Sequence, residues 1–588
     1  RRKYLQLPVD ISRHGFVISI FMFPSSSSNI SSGPAKFLVV CEDFSLSFFD
    51  EKNLAILWKR EESLATIHLA KFMEIASSPV DEEILFSRNI WQQFFHRVVA
   101  QVDGVVAWFR GDFSEHSVLV VEEEGGGMVK DRFGFNKWIV MASTTGKLFC
   151  VSNQVDHKIL WDVWFSGESI ERLIISHTAS ANDSTFLVIT KDRKSGLSSI
   201  YTVNPVNGEI LAIERLQYAI SHSLLFPQRD STGQRILLLV DDSQRKAHMF
   251  PNTAEAQSIG ALLSSSTYDY QVEENGEIRG FQFEENLQLG FVFTLEEHWR
   301  ISLSEKEKII LLETQTETHI HSAIRLTPQG EAMPKYINKN LIAVATLTVD
   351  GETETLNIYL LDSVTGSVVH HTFHPHCAGD LHMVLCENFL VYSYWNKKTY
   401  RTEVSVIEMF ENSVDWASTS FSSFSGIHPD VYQQSFELNF AVTSLGITQT
   451  RRGITTHNIL FGTKSGQLVA VDKRWIDPLR RPEEKIPGII PYSPEIILFS
   501  TSYLSHTVQV ERLSNIISSS AHLESTSLVF VWGLDHFFTH VRPADKFDML
   551  SNDFDFVSLF GTLGLILVLT AVSYSLQKKQ KLMQQWKQ

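Results

Sequence analysis

The chain has 588 residues, and its 51 Lys and Arg residues stand against 67 Asp and Glu residues, which leaves a formal net charge of −16. A chain much longer than a domain of ~150 residues predicts two or more domains or one large repeat architecture. The acidic balance argues against a nucleic-acid partner, and 4 cysteines are too few for a disulfide scaffold.

Two N-glycosylation sequons lie in the N-terminal third of the chain. Asn29 and Asn182 each begin an Asn-X-Ser triplet in a Ser-rich, turn-like stretch. Both are candidate glycosylation sites if this part of the chain is lumenal.

Residues 84–113 are predicted to form one amphipathic helix. Apolar side chains recur there at three- and four-residue spacing, while Arg, Gln and His residues fill much of the opposite side. An aromatic and Val-rich apolar face is typical of a helix that lies in a membrane interface. The alternative is that the helix packs against the β-propeller that is predicted below for residues 135–541. The residues predicted to face the membrane are Trp91, Phe94, Phe95, Val98, Val102 and Phe109.

Residues 114–134 are predicted to be an acidic, Gly-rich linker centred on the sequence from Glu122 to Gly127. A phosphate-binding loop is the alternative for such a glycine run. That interpretation is rejected because no strand, Lys or Ser/Thr follows the glycines at the required spacing.

Residues 135–541 are predicted to be WD- or quinoprotein-like β-propeller blades, so the fold class is all-β. Short apolar runs alternate with glycine turns, as in Trp138–Ser143, Gly146 and Lys147–Val151. Tight turns between antiparallel strands need a positive φ angle, which glycine adopts without strain. The recurrence of such units predicts about seven to nine four-stranded blades, with a β-sandwich array as the alternative.

One stretch is dense in potential metal ligands. Imidazole and thiolate bind zinc, but the spacing here matches no zinc motif, and a solvated loop is the preferred interpretation. A disulfide between Cys377 and Cys386 is a further alternative. The stretch contains His370, His371, His374, His376, Cys377, His382 and Cys386.

The sequence contains no nucleophile elbow, Walker loop or dinucleotide-binding motif. Scattered Ser, His and Asp residues are expected by number alone in a chain of this length and cannot be assembled into a triad from sequence. We therefore predict no catalytic residue, no metal and no cofactor.

The one membrane signal lies near the C-terminus. Residues 556–576 carry no charge and would span about 30 Å as a helix, the thickness of a bilayer core. A buried core helix is the alternative, although soluble helices of that length usually have a polar face. Acidic residues end the predicted juxtamembrane segment 542–555, and lysines fill the predicted tail 577–588. The positive-inside rule then predicts a cytosolic tail and a lumenal ectodomain, a single-pass type I topology.

Five small residues form one helical stripe within this span. Small residues let transmembrane helices approach closely, so we predict that the stripe packs on a partner helix; chance is the alternative. The stripe consists of Ser558, Gly561, Gly564, Ala571 and Ser575.

A type I protein needs a signal peptide. The chain opens Arg1-Arg2-Lys3-Tyr4, without an initiator Met or the apolar run of a signal. We therefore expect it to be part of a longer precursor.

Several strings resemble one protein family, subunit 1 of the endoplasmic reticulum membrane protein complex. They occur in the same order from Trp58 to the C-terminus. Two departures concern Asp553–Phe556, where the family is usually rich in Tyr, and Trp532, where an aromatic hydroxyl is usual; both put particular interfacial hydrogen bonds in question. The strings are Trp58–Ala65, Glu387–Phe389, Tyr394–Asn396, Arg452–Thr455, Asp477–Pro482, Pro491–Pro494, Leu523–Thr526 and Gly533–Asp535.

This resemblance implies a non-catalytic lumenal scaffold with one anchor in the endoplasmic reticulum membrane. It would belong to an insertase and chaperone for tail-anchored and multipass proteins. Its partners would be the other subunits, the lipid bilayer and client transmembrane segments. Residues 1–68 would be the end of an upstream propeller, and the 84–113 helix would brace the membrane part.

Two other functions stay open. One is a lumenal cargo receptor whose propeller faces bind folded clients. The other is a membrane-tethered quinoprotein-like dehydrogenase, which would need calcium ligands and a cofactor-stacking Trp on the propeller axis.

Overall fold

The computed structural model of the chain describes residues 9–23, 36–50, 55–73, 133–544 and 556–587. The predicted helix at 84–113, most of the linker, residues 545–555 and both sequon asparagines lie outside the described residues. The chain divides into two compact units, Arg1–Pro543 and Ala544–Gln588. The gaps inside 133–544 are 154–157, 176–184, 232–233, 242–245, 265, 274–275, 286–291, 317, 321, 328–329, 352, 413–420 and 483–489.

The first described residues form one antiparallel sheet, the N-terminal sheet. Along its third strand, alternate side chains are buried, as expected when one face covers a core. The rings of Phe48 and Trp58 stack at 5.3 Å on this sheet. It consists of a short helix α1 (Ile11–His14) and strands β1 (Val17–Phe23), β2 (Lys36–Cys41), β3 (Ser45–Asp50) and β4 (Ile56–Glu61), which pair in chain order.

Seven further antiparallel sheets, sheets 1 to 7, follow in the described part of the chain up to Val541. Sheet 1 contains β5 (Ile67–Met73), β6 (Trp138–Ser143), β7 (Lys147–Ser152) and β8 (Ile159–Trp164). Sheet 2 contains β9 (Glu168–Ile175), β10 (Phe186–Asp192), β11 (Ser198–Val203) and β12 (Ile210–Arg215). Sheet 3 has six strands: β13 (Ile220–Arg229), β14 (Arg235–Asp241), β15 (Lys246–Phe250), β16 (Tyr268–Val272), β17 (Ile278–Glu285) and β18 (Val292–Ile301). Helix α2 (Ala254–Ser264) connects its two halves.

Sheet 4 contains β19 (Glu307–Thr314), β22 (Leu341–Asp350), β23 (Thr353–Asp362) and β24 (Val368–Pro375), with a separate hairpin of β20 (Ile324–Leu326) and β21 (Ala332–Pro334). Sheet 5 contains β25 (Cys377–Cys386), β26 (Phe389–Asn396), β27 (Arg401–Phe410) and β28 (Asp430–Leu438). Sheet 6 contains β29 (Val442–Ile447), β30 (Asn458–Thr463) and β31 (Leu468–Asp472). Sheet 7 contains β32 (Asn515–Ser520), β33 (Ser527–Trp532) and β34 (His536–Val541). The second unit is one helix, α3 (Phe556–Lys587).

The sheets close into a ring. The first strands of neighbouring sheets lie side by side, for example β25 beside β29 and β29 beside β32, and β32 in turn contacts β5. Phe530 and Trp532 of sheet 7 share one apolar cluster with Ile139 and Phe149 of sheet 1. Trp532 is therefore buried at this closure. The prediction of an all-β propeller with one terminal helix is confirmed.

Strand β5 pairs with β6 although residues 74–137 lie between them in sequence. The first strand of sheet 1 therefore lies before residue 135, where the blades were predicted to begin. The segment that contains the predicted interface helix is inserted within this one sheet.

Glycines at the predicted turns adopt the left-handed backbone. Gly146 has a φ of 84° and Gly466 a φ of 78°. A Cβ on Gly146 would lie 2.3 Å from the carbonyl oxygen of Glu168, and one on Gly466 would lie 2.7 Å from that of Val510. Both the backbone angle and the close neighbour therefore require glycine at these two turns.

The four cysteines are free and buried. Cys377 and Cys386 are the first and last residues of β25, which separates them by roughly 30 Å at the rise of a strand. A disulfide needs Cα atoms within about 7 Å. The pairing of these two cysteines is therefore wrong.

Candidate functional site

Helix α3 has the length and composition of a membrane span. It has 32 residues, which correspond to about 48 Å at 1.5 Å per residue. The segment Phe560–Gln584 is apolar enough to cross a membrane. No residue in its most apolar part is buried in the structure. A core helix of a soluble domain would bury such a surface, so this helix matches a membrane span.

The predicted small-residue stripe is open along α3. Gly561 and Gly564 have no atom within 4 Å of the position that a Cβ would take, and Ala571 and Ser575 are exposed. The side chain of Ser558 lies outside the described residues. The stripe is thus free for a neighbouring helix, and its use stays a prediction.

A cleft of about 290 Å³ lies where the β20–β21 hairpin meets sheets 5 and 6. Its charged residues come from the hairpin, the β25–β26 turn, β27 and the chain on both sides of the β30–β31 hairpin. This charged cleft is lined by Arg325, Lys335, Glu387, Glu408, His457, Lys473, Arg474 and Asp477.

Glu387 is at the centre of one half of the charged cleft. Its carboxylate accepts hydrogen bonds from Lys335 Nζ at 2.7 Å and from His457 Nε2 at 3.0 Å. Burial alone would raise the pKa of Glu387, but the hydrogen bond from His457 and the charge of Lys335 lower it to about 2. His457 Nδ1 also lies 2.8 Å from the carbonyl oxygen of Thr448. Because both neighbours are acceptors, the ring makes both bonds only when both nitrogens carry a proton.

Glu387 has a φ of 49°, in the left-handed region. A non-glycine residue there costs about 1–2 kcal/mol. The ion pairs of its side chain offset that strain.

The other half of the charged cleft alternates acids and bases. Glu408 Oε2 accepts from Arg325 Nη1 and from Lys473 Nζ, each at 3.0 Å, and Arg325 also forms a bidentate pair with Asp477. Burial would raise the pKa of Asp477, but the hydrogen bond from Arg325 and the charge of Lys473 leave it below its usual value. Lys473 Nζ further lies 4.6 Å from the ring centre of Phe389.

The charged cleft is suited to holding loops together and poorly suited to catalysis. Glu387 accepts from Lys335 and His457, Glu408 accepts from Arg325 and Lys473, and Asp477 accepts from Arg325 and from the Leu479 amide. None of these three carboxylates is free to take a proton from a substrate. The arrangement joins the β20–β21 hairpin to sheets 5 and 6.

Within the His-rich stretch, His374 lies between two tyrosine hydroxyls. Tyr394 donates to Glu403 at 2.7 Å, so its hydroxyl accepts from His374 Nδ1 at 2.9 Å, while His374 Nε2 faces the Tyr392 hydroxyl at 2.6 Å. Both ring nitrogens are therefore occupied, and burial lowers the pKa of His374 to about 4. Among the described residues, no three His, Cys, Asp or Glu side chains are placed to hold a metal ion.

A second group of buried charges, the Lys147 cluster, joins the N-terminal sheet to sheet 1. Lys147 Nζ lies 2.8 Å from Asp43, 2.6 Å from Glu61 and 3.2 Å from Asp162, and its side chain is 0% exposed. His14 Nδ1 is also 2.8 Å from Asp43. Burial would lower the pKa of Lys147, but hydrogen bonds to Asp43 and Glu61 raise it instead, so Lys147 is charged.

Sequence reasoning missed both groups of charges. The sequence indicated the charged cleft only through the strings that carry the family resemblance. Three of these strings contribute residues to it: Glu387–Phe389, Arg452–Thr455 and Asp477–Pro482. A fourth string adds Glu524, whose carboxylate accepts from the backbone amides of Arg452 and Ile454 at 2.9 and 2.7 Å. Four strings that are distant in sequence therefore meet at one place.

Comparisons with known proteins agree with one another. Residues 134–544 match the family model described as "ER membrane protein complex subunit 1, second beta-propeller". The chain is 29% identical over 580 residues to the ER membrane protein complex subunit 1 of Gallus gallus, covering 94% of this chain and 58% of that protein. The Xenopus laevis protein of the same name gives the same identity and coverage. The Schizosaccharomyces pombe protein of that name is 26% identical over 615 residues, with coverages of 99% and 63%. The chain thus spans about three fifths of the length of these relatives.

Proposed function

Because the chain belongs to the ER membrane protein complex subunit 1 family, we propose that it is a non-catalytic scaffold subunit of that complex in the endoplasmic reticulum membrane. The complex would insert tail-anchored and multipass proteins. The observation that carries the proposal is α3, an apolar helix of membrane-spanning length whose surface is unburied. A propeller of paired charges and one such anchor supports a scaffold better than an enzyme.

The propeller would be lumenal and the tail after Leu576 cytosolic. Lys578, Lys579 and Lys581 follow the span, which supports this orientation by the positive-inside rule. Protease added to sealed microsomes should remove a C-terminal tag and spare the propeller. Digestion of the propeller in sealed vesicles would contradict the orientation.

The sequons provide an independent test of the same topology. A lumenal Asn182 should be glycosylated, so Asn182→Gln should abolish a mobility shift that glycosidase also removes. Asn29→Gln tests the first sequon in the same way. If the full-length protein reaches the membrane without a glycan at either site, the sequons do not support a lumenal propeller, and the protease assay is then the test of the topology.

The 84–113 segment would lie on the membrane or on membrane-embedded partners. Changing Phe94 and Phe95 together to Glu would place two charges on its apolar face, and desolvating them costs several kcal/mol. We expect weaker assembly of the complex with a folded propeller. Changing Gln92 and Gln93 to Glu on the polar side is the matched control, and equal assembly of both variants would favour packing against the propeller.

A cofactor-dependent oxidoreductase is the enzymatic alternative. A bound quinone would absorb visible light, so the purified complex should show no such band attributable to this subunit. A stoichiometric chromophore that leaves on unfolding would replace the scaffold proposal with the enzymatic one.

Insertion itself is tested in cells that lack the protein. Re-expression of the full-length chain should restore insertion of a weakly hydrophobic tail-anchored client. A version with α3 exchanged for an unrelated single-pass anchor should fail to restore it. Full rescue by the exchanged version would show that α3 serves only as a membrane anchor.

A further inference from the structure

The two lysines of the charged cleft keep hydrogen-bond donors that the fold does not use. Among the described residues, Lys335 Nζ donates only to Glu387, and Lys473 Nζ donates only to Glu408. An ammonium group carries three N–H donors, so each lysine has two left. Both side chains line the cavity, and they are 18% and 14% exposed. The unused donors are therefore accessible to a group that enters the cleft.

The charged cleft has room for such a group. Its volume of about 290 Å³ is roughly ten times the ~30 Å³ that one water molecule takes in the liquid. Arg474 adds a third cation at the rim, with a side chain that is 70% exposed. Its Nε and Nη2 bond to Asp472, which leaves Nη1. Ile324 and Ile454 also line the cleft. Three cations with spare donors beside apolar side chains suit a short acidic peptide that carries apolar residues.

The chain itself contains a segment of that chemistry. The sequence Val120–Gly127 reads Val-Val-Glu-Glu-Glu-Gly-Gly-Gly. Its three carboxylates match the three cations in number and are opposite in charge. This acidic run belongs to the 74–132 segment, which lies outside the described residues and rejoins them at Phe133.

Phe133 lies close to the wall of the charged cleft. Its carbonyl oxygen accepts from the His522 amide at 2.8 Å. Two residues further on, the Glu524 carboxylate accepts from the Ile454 amide at 2.7 Å, and Ile454 lines the cleft. One backbone hydrogen bond, two Cα steps and one side chain separate Phe133 from Ile454. These steps add up to at most about 20 Å between the two Cα atoms.

The chain between the acidic run and Phe133 has a suitable length. There are 133 − 124 = 9 Cα steps from Glu124 to Phe133, which reach roughly 30 Å when fully extended. A Gly-rich chain of that length has a root-mean-square span of about 17 Å. Because this span is close to the separation, the tether would hold the acids near the cleft at a millimolar effective concentration.

We propose that the acidic run Glu122–Glu124 docks in the charged cleft, where Lys335, Lys473 and Arg474 bind its carboxylates. The contact would fix the end of the 74–132 segment against sheets 5 and 6. The inference goes beyond the proposed function and does not rest on it, because both partners of the contact belong to one chain.

Lysine acetylation measures whether the cleft is occupied. The full-length chain is treated with the N-hydroxysuccinimide ester of acetic acid, and the acetylation rate of each lysine is followed by mass spectrometry. Lys473 should react about tenfold faster when Glu122, Glu123 and Glu124 are all changed to Gln. Tenfold protection means an occupancy of about nine tenths, which a site with a Kd of about 0.1 mM reaches at a millimolar effective concentration. Lys464, an exposed lysine outside the cleft, should react equally fast in both proteins.

A matched variant separates this contact from a general effect of charge. Glu305→Gln with Glu495→Gln and Glu511→Gln removes the same charge from three exposed acids. The acetylation rate of Lys473 should stay at the wild-type value in this variant. An equal increase in both triple variants would attribute the effect to net charge and refute docking.

The length of the tether is a second, charge-neutral test. Tripling the tether with Gly and Ser residues inserted after Gly127 lowers the effective concentration about fivefold, since it falls with the −3/2 power of length. Protection of Lys473 should then drop from about tenfold to about threefold. Unchanged protection would show that the occupant is not the tethered acidic run.

A zero-length carbodiimide crosslink identifies the occupant. It joins a lysine amine to a carboxylate in contact with it, so we expect links from Lys335 or Lys473 to Glu122–Glu124. Links from Lys335 to Glu387 and from Lys473 to Glu408 are the positive control, since these pairs are in contact.

Two results would overturn the inference. Equally fast acetylation of Lys473 in the wild type and in the glutamine variant of the acidic run, with control crosslinks alone, would show an empty cleft. Protection that persists in that variant only within an assembled complex would show that an acid of another subunit occupies the cleft.

Discussion

The Lys147 cluster and the charged cleft are built from the same kinds of side chain and differ in charge balance. One lysine faces three carboxylates in the Lys147 cluster, and it is inaccessible to water. The cleft instead alternates three carboxylates with several cations around an open cavity. Arg13 also pairs with Asp162 and Lys59 with Glu61, but Lys147 is the fully buried cation that contacts all three acids. The cations of the charged cleft, by contrast, are partly exposed.

The largest effect is expected from Lys147→Met. Removal of the ammonium takes the lysine away from the fully buried Asp43, while Glu61 keeps Lys59 and Asp162 keeps Arg13. Breaking a buried ion pair by removing one partner costs about 3–5 kcal/mol. The urea midpoint of the propeller should fall accordingly. Lys398→Met, at an exposed turn, is the control and should shift the midpoint little. A small loss for Lys147→Met would mean that water reaches the cluster, and the contrast with the cleft would disappear.

A pH-dependent effect of intermediate size is expected at Glu387. Its pKa is about 2, below the usual 4.5, because the hydrogen bond from His457 and the charge of Lys335 outweigh burial. A depressed carboxyl pKa gives stability that is full above pH 4.5 and is lost as the pH falls toward 2, in total about 3 kcal/mol. The difference in unfolding free energy between the wild type and Glu387→Gln should therefore shrink across that window.

Glu354→Gln serves as the control for that experiment, since Glu354 pairs with Lys397 where both side chains are partly exposed. Exposed pairs contribute about 0–1 kcal/mol. A difference for Glu387→Gln that stays constant from pH 5 to pH 2 would refute the ionised, paired state of Glu387.

A smaller effect is expected from Asp477→Asn in the cleft. Arg325 keeps its bond to Glu408, and the cavity is open to solvent, so we expect a loss of about 1–2 kcal/mol. The double variant with Glu408→Gln should lose more than the sum of the single variants, because Arg325 then has no carboxylate. Strict additivity in a double-mutant cycle would show that the cleft ions act independently.

No change in propeller stability is expected from Gly561→Leu with Gly564→Leu, since α3 belongs to the second unit. The added side chains should block close approach of another helix and lower recovery of membrane subunits. Leu563→Ile with Leu565→Ile keeps the span apolar and is the control. Normal recovery of those subunits with the glycine variant would make the stripe incidental.

The regular elements were largely predictable because their signals are local. The strand Trp138–Ser143 and the turn at Gly146 follow from side chains and backbone angles a few residues apart. The apolar helix near the C-terminus needed only a count of uncharged residues, although the candidate span in the structure runs from Phe560 to Gln584. The alternative of a Cys377–Cys386 disulfide is excluded because residues 377–386 form one extended strand, which holds its two ends apart.

The sequence by itself thus determined the all-β class, the glycine turns, the candidate membrane span and the family, since each depends on composition, short spacing or short strings of residues. The tertiary structure alone decided which charges meet. Lys147 lies 104 residues from Asp43, and His457 lies 70 residues from Glu387; no spacing in the sequence encodes such pairs. The tertiary structure also decided that β5, which precedes residues 74–137, is the first strand of sheet 1, and that sheet 1 packs on sheet 7. The physical reason is that ring closure and buried ion pairs depend on the accumulated geometry of all the sheets, whereas a turn depends on one residue's φ angle.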